Sequence, residues 1–138
     1  MAYCERTDVE SIFGVANVAL WADLENNQDE DDIEARITWA CDMATTKMNN
    51  RLRGGPYAIP FEEPSSGEGY DAELVNETAR WAGVLLYESR GIEDTENASV
   101  PKISDHIKQV EAFIRLIRTG RMQLDVAEQT VTYPKVIK

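Results

Sequence analysis

Histidine is almost missing from this chain: His106 is the only one in 138 residues. That removes most routes to a zinc or iron centre, because no Cys/His set has zinc spacing and no Glu-x-x-His pair is present. Cysteine is nearly as scarce. Cys4 and Cys41 are too few for a disulfide scaffold, and Cys41 falls on an apolar helix face where it reads as a small core residue. Long hydrophobic runs are absent too, with nothing near the ~20 residues of a membrane span. The opening residues, Met1 to Asp8, lack the apolar stretch of a secretory signal. We therefore expect a protein made and kept in a cytoplasm. Basic charge is also short: 14 Lys and Arg face 25 Asp and Glu, a formal net charge of −11. A large basic face gripping phosphates is thereby excluded, though a protein that surrounds DNA without holding it is not. Catalytic signatures fail likewise. Gly54-Gly55 lacks the Lys-Ser/Thr of a phosphate loop, and no Ser sits in a Gly-x-Ser-x-Gly elbow. The expectation is no enzyme, no cofactor and no resident metal.

What is present is ordinary globular material, 43% hydrophobic and 28% charged. It is enough for one domain with its own core. The charge is uneven. Residues 1–101 hold 7 Lys and Arg against 21 Asp and Glu, whereas residues 102–138 hold 7 against 4. An acidic body with a mildly basic C-terminal part suits head-to-tail association between copies, although a merely solvated surface has the same composition.

The periodicity predicts a mainly α fold, a small bundle of about four main helices. Thr7-Asp8-Val9-Glu10 reads as a capping box opening a short helix that stops near Gly14. A second short helix, about 15–24, carries Val18, Leu20 and Trp21. The clearest helix spans about 31–53, with Ile33, Ile37, Ala40, Cys41, Ala44, Met48 and Leu52 on one stripe. Gly54-Gly55-Pro56 ends it. Residues 57–61 read as a short extended segment, and 62–70 as a loop. A further helix, about 71–89, should turn Leu74, Ala82 and Leu85 inward, with Trp81 and Thr78 as further candidates. A last helix follows Ser104, read as its N-cap, with a seam of Ile103, Ile107, Val110, Ile114 and Ile117 and with Gly120 past its end. Residues 1–120 thus form the helical domain and 121–138 an extended C-terminal arm. Leu124, Val126, Val131, Tyr133, Val136 and Ile137 are its candidate partner-binding residues. An exposed apolar arm is a liability unless it docks.

Two features invite a sharper reading. Asp23, Glu25, Asn27 and Asp29 alternate, and Glu34 stands where an EF-hand loop places its twelfth ligand. Gln28 replaces the turn glycine, so a solvated acidic helix start is the reading we prefer. His106, beside Asp105 in the first turn of its helix, reads as structural or solvent-exposed.

The chain opens with Met1-Ala2-Tyr3, then Thr7-Asp8-Val9 with Ile12-Phe13-Gly14, and the acidic loop 23–32 before the long helix. Leu52 to Phe61, Tyr87-Glu88-Ser89-Arg90 and Thr119-Gly120-Arg121 follow. In this order the motifs resemble those of the Mu-like prophage neck proteins. The loop lacks that family's glycines, Gly54-Gly55 is an insert, and the tail is longer. The resemblance implies a virion protein in the neck of a tailed phage: a head-to-tail adaptor forming a homo-oligomeric ring, a dodecamer by analogy, beneath the portal. Its partners would be copies of itself, the portal protein and a further neck or tail-completion protein. DNA would pass through without sequence-specific binding. A rival reading is an acidic phage-encoded inhibitor that mimics DNA and binds a host protein. The long helix argues against it, since Ile33–Arg53 carries only Glu34 and Asp42 as acids.

Overall fold

A computed structural model describes residues 2–62, 69–90 and 103–124. They form a helical bundle: α1 (Arg6–Phe13), α2 (Val15–Ala22), α3 (Glu30–Leu52), α4 (Ala72–Ser89) and α5 (Ile103–Arg118). The expected mainly helical fold is what forms. Residues 57–61 carry an isolated β-bridge at Tyr57 without a full strand; they bury Tyr57 and Phe61 and contain a cis Ile59–Pro60 bond.

Local chemistry starts and stops each helix. α1 begins two residues earlier than the Thr7 box implies. Glu5 is its N-cap, and Asp8 Oδ2 accepts from the Glu5 amide at 2.8 Å. Glu10, expected to close the box, instead pairs with Arg6 Nε at 2.8 Å, because Arg6 lies one turn away on the same face. Gly14, at φ +95°, turns the chain from α1 straight into α2, a conformation that a β-carbon would strain. Asp29 Oδ1 caps α3 by accepting from the Asp31 amide at 2.9 Å. Asp71 does the same for α4, accepting from Glu73 N at 2.8 Å. α5 already includes Ile103, so Ser104 lies within its first turn and is not its cap. At the far end Gly120, at φ +78°, reverses the chain, and the Arg121 amide closes on Leu116 O at 2.9 Å.

All seven stripe residues of α3 are buried. In α5 the seam is wider than expected: Phe113 joins Ile103, Val110, Ile114 and Ile117, while Ile107 is only half-buried. The larger surprise is α4. It packs against every other helix. Thr78, Ala79, Trp81, Ala82, Val84 and Leu86 are all buried, so the burial covers most of its circumference. Leu85, expected inward, is half-exposed instead. One-sided periodicity fails here because a central helix has no broad solvent face.

Below α3 the N-terminal segment is pinned by aromatic packing. Tyr3 meets Phe61 and Tyr70 edge-on, with ring centroids 5.7 and 4.9 Å apart. Its hydroxyl donates to Asn49 Oδ1 and accepts from Phe61 N, the latter at 2.9 Å. Burial pushes the Tyr3 phenol above its ordinary pKa, so the hydroxyl stays a donor.

α1 and α4 approach closely at Gly83. A β-carbon on Gly83 would lie 2.0 Å from Phe13 Cε2. The Phe13 ring is confined by Trp21 at 5.4 Å and His106 at 4.7 Å. Gly83→Ala should therefore destabilise the protein by about 1–2 kcal/mol in urea unfolding, overpacking outweighing the ~1 kcal/mol gain in helix propensity. The same change in a Phe13→Leu background should cost less.

Candidate functional site

Of the six residues assigned to the arm, only Leu124 lies among the described residues. It is buried, and its amide donates to Tyr57 Oη at 2.8 Å. Leu124 is thus the packed root of the arm, and the folded unit continues four residues past 120. Val126, Val131, Tyr133, Val136 and Ile137 lie outside the described residues.

The acidic loop between α2 and α3 is organised by Asp23, which is itself buried. Its two carboxylate oxygens accept from the Asn27 and Gln28 amides at 3.1 and 3.0 Å. Asn26 and Gln28 take positive φ, 57° and 58°, to bring those amides round. From α4, Arg90 donates to the Asp23 carbonyl and to Asn26 Oδ1. Glu34, the expected twelfth ligand, is instead paired with Arg6 Nη1 at 2.6 Å. The alternating oxygens therefore do not converge. No group of three or more His, Cys, Asp or Glu among the described residues is placed to hold a metal ion.

Charge is sorted along the bundle. Glu25, Asp29, Glu30, Asp31 and Asp32 are exposed around the start of α3, with Arg6 and Arg90 partly balancing them. Twenty-three helical residues later, about 34 Å along the axis, Arg53, Arg115, Arg118 and Arg121 are exposed at the other end. Arg118 Nη1 donates to the carbonyls of Arg51 and Arg53, both at 2.8 Å, where the end of α3 favours a cation. Arg51 is paired with Glu111 at 2.9 Å. Glu62 and Glu73 are exposed nearby and temper this basic end.

α2, which leads into the acidic loop, shows an exposed apolar face. Val15 is 62% exposed, Leu20 53% and Leu24 40%. Ala16 is also exposed and Ala19 half-exposed, so the outer side of α2 has no charge at all. Its inner side, Val18, Trp21 and Ala22, is buried. On α3, Trp39 is exposed under the Arg36 guanidinium, 4.0 Å from its ring centre. Large exposed apolar groups arranged contiguously mark a contact surface more often than scattered ones do.

A polar seam joins α4 to α5. Arg80 Nη1 lies 2.8 Å from His106 Nδ1, and Arg80 Nε lies 3.4 Å from Glu77 Oε1. Thr78 Oγ1 is fully buried with no hydrogen-bond partner among the described residues. Sequence reading placed His106 on a polar helix side; the structure stacks it on Phe13 and ties it to Arg80. The buried Glu77–Arg80 pair was invisible in the sequence, since nothing in α4's pattern separates a core acid from a surface one.

Two outcomes follow. Asp23→Ala should cost about 1–2 kcal/mol by stranding two amides, and Ca²⁺ against chelator should leave the wild-type Tm unchanged. Burial also raises the Glu77 pKa above its ordinary 4.5, outweighing the attraction of Arg80. The folded state then holds that proton more tightly. Its stabilising share is complete below pH 4.5 and is lost as pH rises through the folded pKa. Glu77→Gln should accordingly raise Tm at pH 7, with little change at pH 4.

Comparison of the chain with protein-family models, curated proteins and solved structures finds no match to any of them.

Proposed function

We propose that this chain is a structural subunit that associates with further copies of itself, and that the assembly is the ring-shaped head-to-tail adaptor of a tailed phage. The self-association rests on one observation. Acidic and basic groups are exposed at opposite ends of the bundle, and the helix that leads into the acidic loop exposes an uncharged apolar face. Opposite poles steer copies into a common orientation, and burial of Val15, Leu20 and Leu24 supplies contact energy of roughly 25 cal/mol per Å². The phage assignment rests on the order of motifs from Met1-Ala2-Tyr3 to Thr119-Gly120-Arg121.

The net charge of −11 suits a channel. Carboxylates facing a lumen repel phosphates, so DNA slides past without sticking. The arm beyond Leu124 is the segment that reaches the portal protein, and the opposite pole meets a further neck protein. In this reading the subunit belongs to the neck of the virion.

Light scattering on the purified chain tests the assembly. A closed oligomer is expected at low salt. It should weaken in ~1 M salt, where the screening length falls to about 3 Å. Leu20→Glu should shift the protein to monomer with Tm nearly unchanged, because Leu20 packs little within its own chain. Deleting 125–138 should abolish portal binding and spare the helical signal. A monomer at every concentration, together with a tight one-to-one complex with a host DNA-binding protein, would replace this reading with the DNA-mimic inhibitor.

A further inference from the structure

The chain's two cysteines, far apart in sequence, meet in the fold. Both are free and nearly buried, Cys4 4% exposed and Cys41 3%. Two sets of contacts bring them together. The Tyr3 amide donates to Thr45 Oγ1 at 2.9 Å, and that hydroxyl donates to the Cys41 carbonyl at 2.9 Å. The extended segment before α1 is thereby laid along the turn of α3 that carries Cys41. Both cysteines then lie on the wall of the same cavity.

A cavity of about 280 Å³ borders the pair, and both cysteines line it. That volume takes a small molecule, since a water's share of liquid is about 30 Å³. Glu5, Glu34 and Asp42 are on its walls against a single Arg6, so its charge favours cations.

We propose that Cys4 and Cys41 are a redox-active dithiol, oxidised to an intramolecular disulfide by a small cationic disulfide that enters this cavity. One cysteine, as thiolate, attacks a sulfur of R–S–S–R. A mixed disulfide forms, and R–S⁻ leaves and takes up the proton that the cysteine released. The second cysteine displaces the remaining R–S⁻ in the same way, and the Cys4–Cys41 bond closes. The protein gives up two electrons and two protons, and R–S–S–R becomes two R–SH. The hydrogen bond to Cys41, and then burial, push the Cys4 thiol well up from its ordinary range. The reaction therefore quickens with rising pH. Its product ties the N-terminal segment covalently to α3.

The test uses the full, reduced chain with cystamine, a cationic disulfide, and in parallel with oxidised glutathione, an anionic one. Intact mass is read with time. The expected result is loss of two hydrogens without an adduct, both thiols disappearing together. Cystamine should be faster by about tenfold or more at low salt, the gap closing at high salt. The oxidised chain should melt ~5 °C or more higher. Cys4→Ser, a near-isosteric change, should instead retain a single mixed disulfide on Cys41. The proposal is overturned if the folded protein keeps both thiols, if an adduct persists in the wild type, or if disulfide-linked dimers form. Equal rates with the two reagents would overturn the cationic selectivity.

Discussion

Everything else in this bundle is arranged around the burial of α4. An 18-residue helix packed on by four others must present small groups where neighbours come close and large ones where they do not. Gly83 gives Phe13 its place, while Leu74, Trp81, Val84 and Leu86 fill the remaining sides. Each large buried side chain contributes roughly 1.5–3 kcal/mol relative to exposure. The cost is polar: Glu77 and Thr78 go into the interior with the rest. Arg80 answers Glu77 and reaches His106, which attaches α5 to α4 through a hydrogen bond as well as through its apolar seam.

The ends of the bundle are governed by a different constraint, the unsatisfied amides and carbonyls of helix termini. Asp23, Asp29 and Asp71 accept from amides at the turns before α3 and α4, and Arg118 donates to carbonyls at the end of α3. Acids therefore collect where helices begin and a guanidinium where one ends. The separation of charge into two poles is thus partly a by-product of capping, and it is also the property that orients one copy against another in the proposed assembly. α2 differs from these charged ends. Its outer face carries no charge and is exposed among the described residues.

The arm shows the same dependence on its anchor. Leu124 is held by Tyr57, Tyr57 packs on Phe61, and Phe61 is held by Tyr3. Of the segment that the sequence presents as one sticky tail, Leu124 belongs to the fold. Through Tyr3 the same aromatic group reaches Cys4 and the turn of α3 that holds Cys41.

The sequence by itself determined the helices, because their signals are local. The period of Ile33 to Leu52, the Gly54-Gly55-Pro56 stop and the glycine at 120 act within a few residues and override distant context. It also determined the scarcity of metal ligands and the acidic balance, which are matters of composition. Only the tertiary structure decided which face of α4 is inside, since a helix surrounded by neighbours has no polar stripe to read. It alone turned Asp23 and Glu34 to amides and to Arg6 and away from one another, because an oxygen takes whichever donor the fold brings within reach. And it alone set Cys4 beside Cys41: contacts between residues far apart in sequence are made by packing, and no spacing along the chain encodes them.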